Sequence, residues 1–355
     1  MQSMRRTKLS LIAWVFTLSL LIAACGGEEP DPTGADAGNI SESIDLVIAN
    51  DIAQVEVLLD DLPEMRQRRF IRALVVYSQT DFFLEDGQKK GIQAEYLKGF
   101  EKYLNRNIKK EADKTHIKIM PVPFDQLIPM VKSGRGDIAA HFLTITPERE
   151  KQVNFATGRR LQVNEVIVTH KSVKGIRTLD DLAGREIYVL SGSSYHEHLS
   201  ALSRSLQERG LAPIRLIEAD SRLRSEDILE LVNAGVEPLT VVDDYLAKLW
   251  SKVLKDIRVL QDIPLATDRY IGWAVREGSP RLQQALTEYS KKVRKGTEIG
   301  NILMRRYYRS TKWINNPDDQ EARDLLNQYM PLFEKYGKQY GHDPMAVSYT
   351  HLRAH

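Results

Sequence analysis

The stretch Asp137-Ile-Ala-Ala-His-Phe-Leu-Thr-Ile-Thr-Pro-Glu-Arg-Glu150 decides how this chain reads. Asp137 to Leu143 is a short apolar run behind a Gly-Arg-Gly turn, which predicts a buried strand. Thr146 has the chemistry of an N-cap. Pro147 suits the first helical position, because its missing amide would be an orphan there anyway. A strand feeding directly into a helix turns the first helical amides toward a crevice, where an anion is favoured. Thr144 adds a hydroxyl and Arg149 a planar bidentate donor, so a carboxylate-binding arrangement fits. An ordinary capped helix with a solvated arginine fits the same spacing.

Working outward, the upstream residues alternate strand and helix. Ala73–Tyr77 is an apolar strand. Tyr96, Leu97, Phe100 and Leu104 share a helix face, and Ile117–Val122 alternates as a strand. Phe124, Leu127, Ile128 and Val131 form a second helical face that ends at Gly134. This order predicts an open parallel sheet with ligands at the carboxyl ends of its strands, where Tyr77 and Thr144 fall. Downstream, Val166–Thr169 can carry the chain across to a second unit. Thr178 to Asp181 reads as a capping box, and Ser191-Gly192-Ser193-Ser194 follows a strand with small hydroxyl residues suited to an anion. A serine-rich N-cap without a ligand accounts for that turn equally simply. Leu239–Val242 runs into Asp243, which reads either as a ligand acid or as the cap of the next helix.

Thr144-Ile-Thr-Pro-Glu-Arg149-Glu, continued by Gln152-Val153-Asn154-Phe155, resembles the signature of the family 3 periplasmic solute-binding proteins. The resemblance implies an α/β, two-lobed type II clamp with a hinge. Lobe 1 would comprise about 71–163 and 265–310, and lobe 2 about 164–264. It further implies that Arg149 grips a ligand carboxylate with help from Thr144. Gly192, Ser193 and Ser194 stand at the family's Gly-Thr-Thr turn, and Asp243 stands where an acid meets the ligand's ammonium group. Tyr77-Ser-Gln-Thr-Asp-Phe-Phe83 replaces the aromatic segment with which amino-acid-selective members stack on the ligand, leaving Tyr77 as the candidate there. The bulky His141 and Phe142 are a second departure.

The ends of the chain are read separately. Met1–Cys25 has a basic start, an apolar run too short for a comfortable span, and Ile22-Ala-Ala-Cys25, which resembles a lipoprotein acylation motif. Residues 26–70 read as a tether, rich in Gly, Pro and acids at first, with a short helix or ordered linker after Ile44. Gly26 favours the outer membrane over the inner one on the periplasmic side. From Trp313 through Tyr329-Met-Pro-Leu-Phe-Glu-Lys-Tyr-Gly337 the chain resembles membrane-bound lytic murein transglycosylases, which join a family 3 module to a lysozyme-like domain. Residues 311–346 would be the linker and opening helix of that domain, whose catalytic glutamate lies in a Gln-Glu-Ser motif not found here. Val347–His355 resembles a translated sequencing adapter. The expectation is therefore a ligand-binding, regulatory module for cell-wall turnover, inactive by itself. It would take a carboxylate-bearing wall fragment, amino acid or peptide. A stand-alone amino-acid or peptide receptor of an ABC transporter is the alternative.

A net charge of +2 argues against a polyanionic partner such as nucleic acid, and a single cysteine excludes an internal disulfide. No P-loop, Rossmann glycine pattern or paired-cysteine site occurs, so no cofactor is expected. His196 and His198 are two apart, the wrong spacing for a metal pair on a helix. A monomer is expected. Cys25→Ala should move the protein from the membrane fraction to the soluble periplasm. Fractionation that still finds the variant in membranes would refute acylation as the anchor.

Overall fold

The computed structural model of this protein describes residues 52–85, 88–312 and 314. The targeting segment with Cys25, the tether through residue 51 and residues 315–355 lie outside the described residues. The first lobe begins with α1 (Leu62–Arg68), β1 (Phe70–Val75), a hairpin of β2 (Phe83–Glu85) and β3 (Gln88–Lys90), and α2 (Ile92–Leu104). It continues with β4 (His116–Pro121), α3 (Leu127–Lys132), β5 (Ile138–Thr144) and the single turn α4 (Pro147–Glu150). The long β6 (Asn154–His170) leads into the second lobe, made of β7 (Glu186–Val189), α5 (Ser194–Glu208), β8 (Arg215–Glu218) and α6 (Ser225–Asn233). β9 (Leu239–Asp243), α7 (Asp244–Trp250) and β10 (Ile257–Leu260) complete it. The chain then returns through β11 (Ala266–Val275) to α8 (Pro280–Val293) and α9 (Glu298–Tyr308).

The main sheet has the order β10-β6-β11-β5-β1-β4, with β9 also paired to β6. β1 runs parallel to β4 and β5, as strand–helix alternation requires. β11 runs antiparallel to both β5 and β6, so the sheet is mixed rather than parallel throughout. The reason is topological: β11 re-enters lobe 1 from the far side of lobe 2 and must travel in the opposite sense.

β1 is buried on both faces, which explains its unbroken apolar run. Ile71, Ala73 and Val75 join Leu97 and Phe100 of α2 in one core, while Leu74 and Val76 join Leu127, Met130 and Val131 in another. Each of these side chains larger than alanine contributes about 1.5–3 kcal/mol by leaving water. Gly134 takes φ +75° just after α3, a conformation that costs other residues a Cβ clash, and so ends the helix as its position suggests.

β6 is the element that makes one molecule of two lobes. Its first part pairs with β11, and from Glu165 to Thr169 it pairs with β9. The crossing expected at Val166–Thr169 is therefore the second half of one strand that starts at Asn154. Phe70 to Val75, with β5 and α2, builds lobe 1 much as the sequence suggests, whereas β2, β3, β8 and β10 carry no such apolar run.

The tether read through residue 70 ends earlier. Ile52 and Val55 pack against the second core of lobe 1, and the Leu58 amide donates to the Gly134 carbonyl at 2.8 Å. Asp61 accepts the Arg281 and Leu282 amides at 3.0 and 2.9 Å, capping α8 from a distance in sequence. Arg72, buried, donates to the Glu56 carbonyl at 2.6 Å and pairs with Asp137 at 2.8 Å. Arg68 reaches Asp60 at 2.7 Å and also meets Asp137. The short helix read after Ile44 is Leu62–Arg68, and the segment around it is tied down by partners far along the chain, Asp137 and Arg281 among them.

Asp137 serves two arginines and accepts the Arg72 amide at 2.7 Å. Asp137→Ala should destabilise the protein by about 3–5 kcal/mol, because it strands buried positive charge. Denaturant titration followed by circular dichroism measures this, and a loss below about 1 kcal/mol would show the network to be dispensable.

Candidate functional site

Thr146 caps α4 by accepting the Arg149 amide, and Pro147 is the first helical residue, as their types dictate. The helix is only one turn long, so its dipole is a small part of the site. The Arg149 side chain is the larger part. It is 2% exposed and spans the cleft between the lobes. Its Nη1 donates to the Thr144 carbonyl at 2.8 Å in lobe 1, and its Nη2 donates to the Gly192 carbonyl at 2.9 Å in lobe 2. Nε faces the Glu197 carboxylate at 3.3 Å. Burial pushes the Arg149 pKa below its ordinary value, while the charges of Glu197 and Glu165 pull it back up.

Gly192, with φ +67°, lets the two lobes touch: a Cβ there would stand 3.0 Å from the Asp125 Cα. Ser193 is the N-cap of α5, accepting the His196 amide and donating to the Leu190 carbonyl at 2.6 Å. Ser194 donates to Glu165 at 2.7 Å. Both serines are buried, and both line the cavity. By helix geometry, the Ser194 and Tyr195 amides have no acceptor inside the helix and point toward the cleft end of α5.

Asp243 stands at the N-cap position of α7, yet its side chain does not cap that helix. It is buried, its Oδ1 has no hydrogen-bond partner, and it stands in register with Glu165 across β6 and β9. Burial first, and the neighbouring Glu165 charge second, push its carboxyl well above the usual carboxylate range, against hydrogen bonds from Tyr195 and Tyr245. Glu165 is fully buried and held by Ser194 and by His198 at 2.6 Å. An acid in the middle of the apolar run Val163–Thr169 was a legible signal for this residue, and spacing arguments passed over it.

Lobe 1 contributes residues that motif reading did not single out. The Ser78 hydroxyl accepts the Thr80 and Asp81 amides at 3.2 and 3.3 Å, turning the chain tightly so that Thr80 and Asp81 face the cavity. The same turn swings Tyr77 outward. It is 46% exposed with its ring edge-on to Phe82 and does not line the cavity, contrary to its expected role. Asp81 pairs with His141 at 3.1 Å and accepts the Tyr308 hydroxyl at 2.6 Å. Burial raises its pKa, but His141 and the hydrogen bonds outweigh that and hold it below the usual range. Tyr308 packs edge-on against Tyr245 of lobe 2, 4.7 Å between centroids.

The lobes are also stitched at the rim, where the Gln79 amide donates to Glu226 at 3.2 Å and Arg224 to the Tyr77 carbonyl at 3.4 Å. Thr144, Arg149, Ser193, Ser194 and Asp243 therefore meet in one cavity of about 30 Å³, a volume for water rather than for an amino acid. A larger cavity of about 460 Å³ lies beneath α8, among Tyr96, Trp273, Leu286 and Val293, and holds no convergent acid and base. Among the described residues no group of three or more His, Cys, Asp and Glu could hold a metal, and no helix is long and apolar enough to cross a membrane.

Two lobes on a pair of crossing strands, with an arginine and an acid facing one cleft, define a type II binding-protein clamp. The chain belongs to the bacterial extracellular solute-binding proteins, family 3, whose model matches residues 76–310. Over 289 residues it is 24% identical to the membrane-bound lytic murein transglycosylase F of Desulfosudis oleivorans, covering 80% of this chain and 60% of that protein. The protein of the same name from Ectopseudomonas mendocina is 25% identical, with 79% and 54% covered. The chain thus spans little more than half the length of these relatives. An ancestral arginine-binding protein bound to arginine shares the fold, with a TM-score of 0.55 and 21% identity over 68% of this chain and 99% of that one.

Because the folded pKa of Asp243 lies above its unfolded value, the folded state holds an extra proton between the two. Stability contributed there is present at low pH and falls as pH rises from the ordinary value of 3.8 through the folded pKa. Asp243→Asn should therefore raise the melting temperature of the ligand-free protein at neutral pH, with the gain vanishing near pH 3. A gain independent of pH, measured by calorimetric melts, would contradict this account.

Proposed function

We propose that this chain is the ligand-binding, regulatory module of a lipid-anchored lytic transglycosylase working on the cell wall from the periplasmic side. The ligand is a carboxylate-bearing wall fragment, an amino acid or a short peptide. Its carboxylate meets Arg149, the Ser194 and Tyr195 amides and the Thr144 hydroxyl, with Ser193 holding the turn that presents those amides; its amine meets Asp243. One observation carries this reading: Arg149 from lobe 1 and the bare Oδ1 of the buried Asp243 from lobe 2 belong to one closed cleft. A buried carboxyl with a raised pKa is poised to ionise against an incoming ammonium, which supplies the countercharge that burial denies it.

Anchoring is assigned to an acylated Cys25, and the glycan-cleaving chemistry to a domain of which residues 311–346 are the opening part. The lobes open by hinge motion about β6 and β11 to admit the ligand, since the closed cavity has no room for one. Both transglycosylase relatives align along most of this chain, which favours this reading over a stand-alone transport receptor.

Calorimetric titration with muropeptides and with free amino acids tests the ligand class. Arg149→Ala should keep the fold and weaken binding by ~2–5 kcal/mol, because it removes one partner of a buried charge pair. Unchanged affinity in a folded variant would overturn the assignment, and preference for free amino acids over muropeptides would favour a transport receptor.

A further inference from the structure

In the closed cleft Arg149 has three partners, and they differ in kind. Thr144 and Gly192 offer backbone carbonyls, fixed by β5 and by the turn before α5. Only Glu197 brings a negative charge, at 3.3 Å from Nε. Glu197 lies in the first turn of α5, one turn beyond the serines that line the cavity. Its side chain is 30% exposed, whereas that of Arg149 is 3% exposed. Arg149 is locked in place, then, while Glu197 can leave for water at small cost.

The second observation is the cavity itself. It leaves about 30 Å³, room for a couple of waters and too little for a whole amino acid beside Arg149. A closed cleft would ordinarily strand the arginine's charge away from water. Glu197 supplies an anion in direct contact from within the chain, with the Glu165 charge acting from beyond ion-pair distance.

We infer that Glu197 is an internal stand-in for the ligand's carboxylate, holding the lobes together through Arg149 and competing with carboxylate ligands for it. The inference rests on the ligand-binding reading for the competition, but not for the closure. A ligand must displace Glu197 toward solvent, so Glu197 sets a threshold below which weak carboxylates fail to hold the cleft.

The test uses the full-length chain and its Glu197→Gln variant, which keeps size and hydrogen bonding but removes the charge. Small-angle scattering without ligand should show the variant more open than the wild type. Glu208→Gln, an exposed change near the end of the same helix, should leave the profile unchanged. Calorimetric titration with L-glutamine, L-arginine and a muropeptide should show the variant binding about two- to fivefold tighter, the scale of a partly exposed ion pair. Arg149→Ala/Glu197→Gln should lose that gain. Identical ligand-free scattering of variant and wild type would overturn the inference, whatever the titrations give. If the variant opens while Arg149→Ala binds every probe as the wild type does, the closure by Glu197 stands and the ligand-binding reading falls.

Discussion

A guanidinium withdrawn from water must find acceptors, and the need to satisfy Arg149 holds the cleft of this protein together. Leaving such a charge unpaired in the interior costs several kcal/mol, more than most single contacts return. One acceptor comes from each lobe, the Thr144 and Gly192 carbonyls, and the countercharge comes from Glu197. The arginine is therefore a bolt between the lobes. Moving either lobe breaks a hydrogen bond to it, and this couples the arginine to the position of the lobes.

Opposite the bolt sits a group in the reverse predicament. Asp243 is brought across from Glu165 by the antiparallel register of β6 and β9, so two acids face each other where both are buried. Like charges opposed across strands are unfavourable, and the cheaper solution is to keep one of them protonated. Glu165 has Ser194 and His198 to hold it; Asp243 has tyrosine hydroxyls and one bare oxygen. The result is an asymmetric cleft with a fixed cation at one wall and an acid awaiting a cation at the other. Stability given up at Asp243 is what the proposed amine-bearing ligand would restore.

The crossing strands make this asymmetry possible. β6 belongs to both lobes, and Glu165 sits where its partner changes from β11 to β9. A rotation there shifts Asp243 relative to Arg149 while each lobe keeps its own core. The aromatic contact between Tyr308 and Tyr245, and the Asp81–His141 pair beneath it, lie on the same seam. Lobe 1 thus presents an acid held by His141 and Tyr308, and lobe 2 an acid with one oxygen left bare.

Local chemistry determined a good deal of this from the sequence alone. The apolar run of β1, the cap at Thr146, the proline of α4 and the stop at Gly134 depend only on neighbouring residues, and each is legible by itself. The positions of Arg149, Thr144, Gly192, Ser193, Ser194 and Asp243 were legible as motif matches, since strand ends and helix starts announce where a crevice must lie. Tertiary structure decided the rest. Whether Asp243 caps a helix or turns into the cleft depends on Glu165, 78 residues away in the chain and directly opposite in the sheet. Whether Tyr77 turns inward depends on the Ser78 hydroxyl. That Arg149 is bound by Glu197, and that residues 52–70 are packed rather than free, follows from pairings of charged side chains distant in sequence. Charges find partners by position in space, and hydrophobic periodicity carries no record of which acid will meet which base.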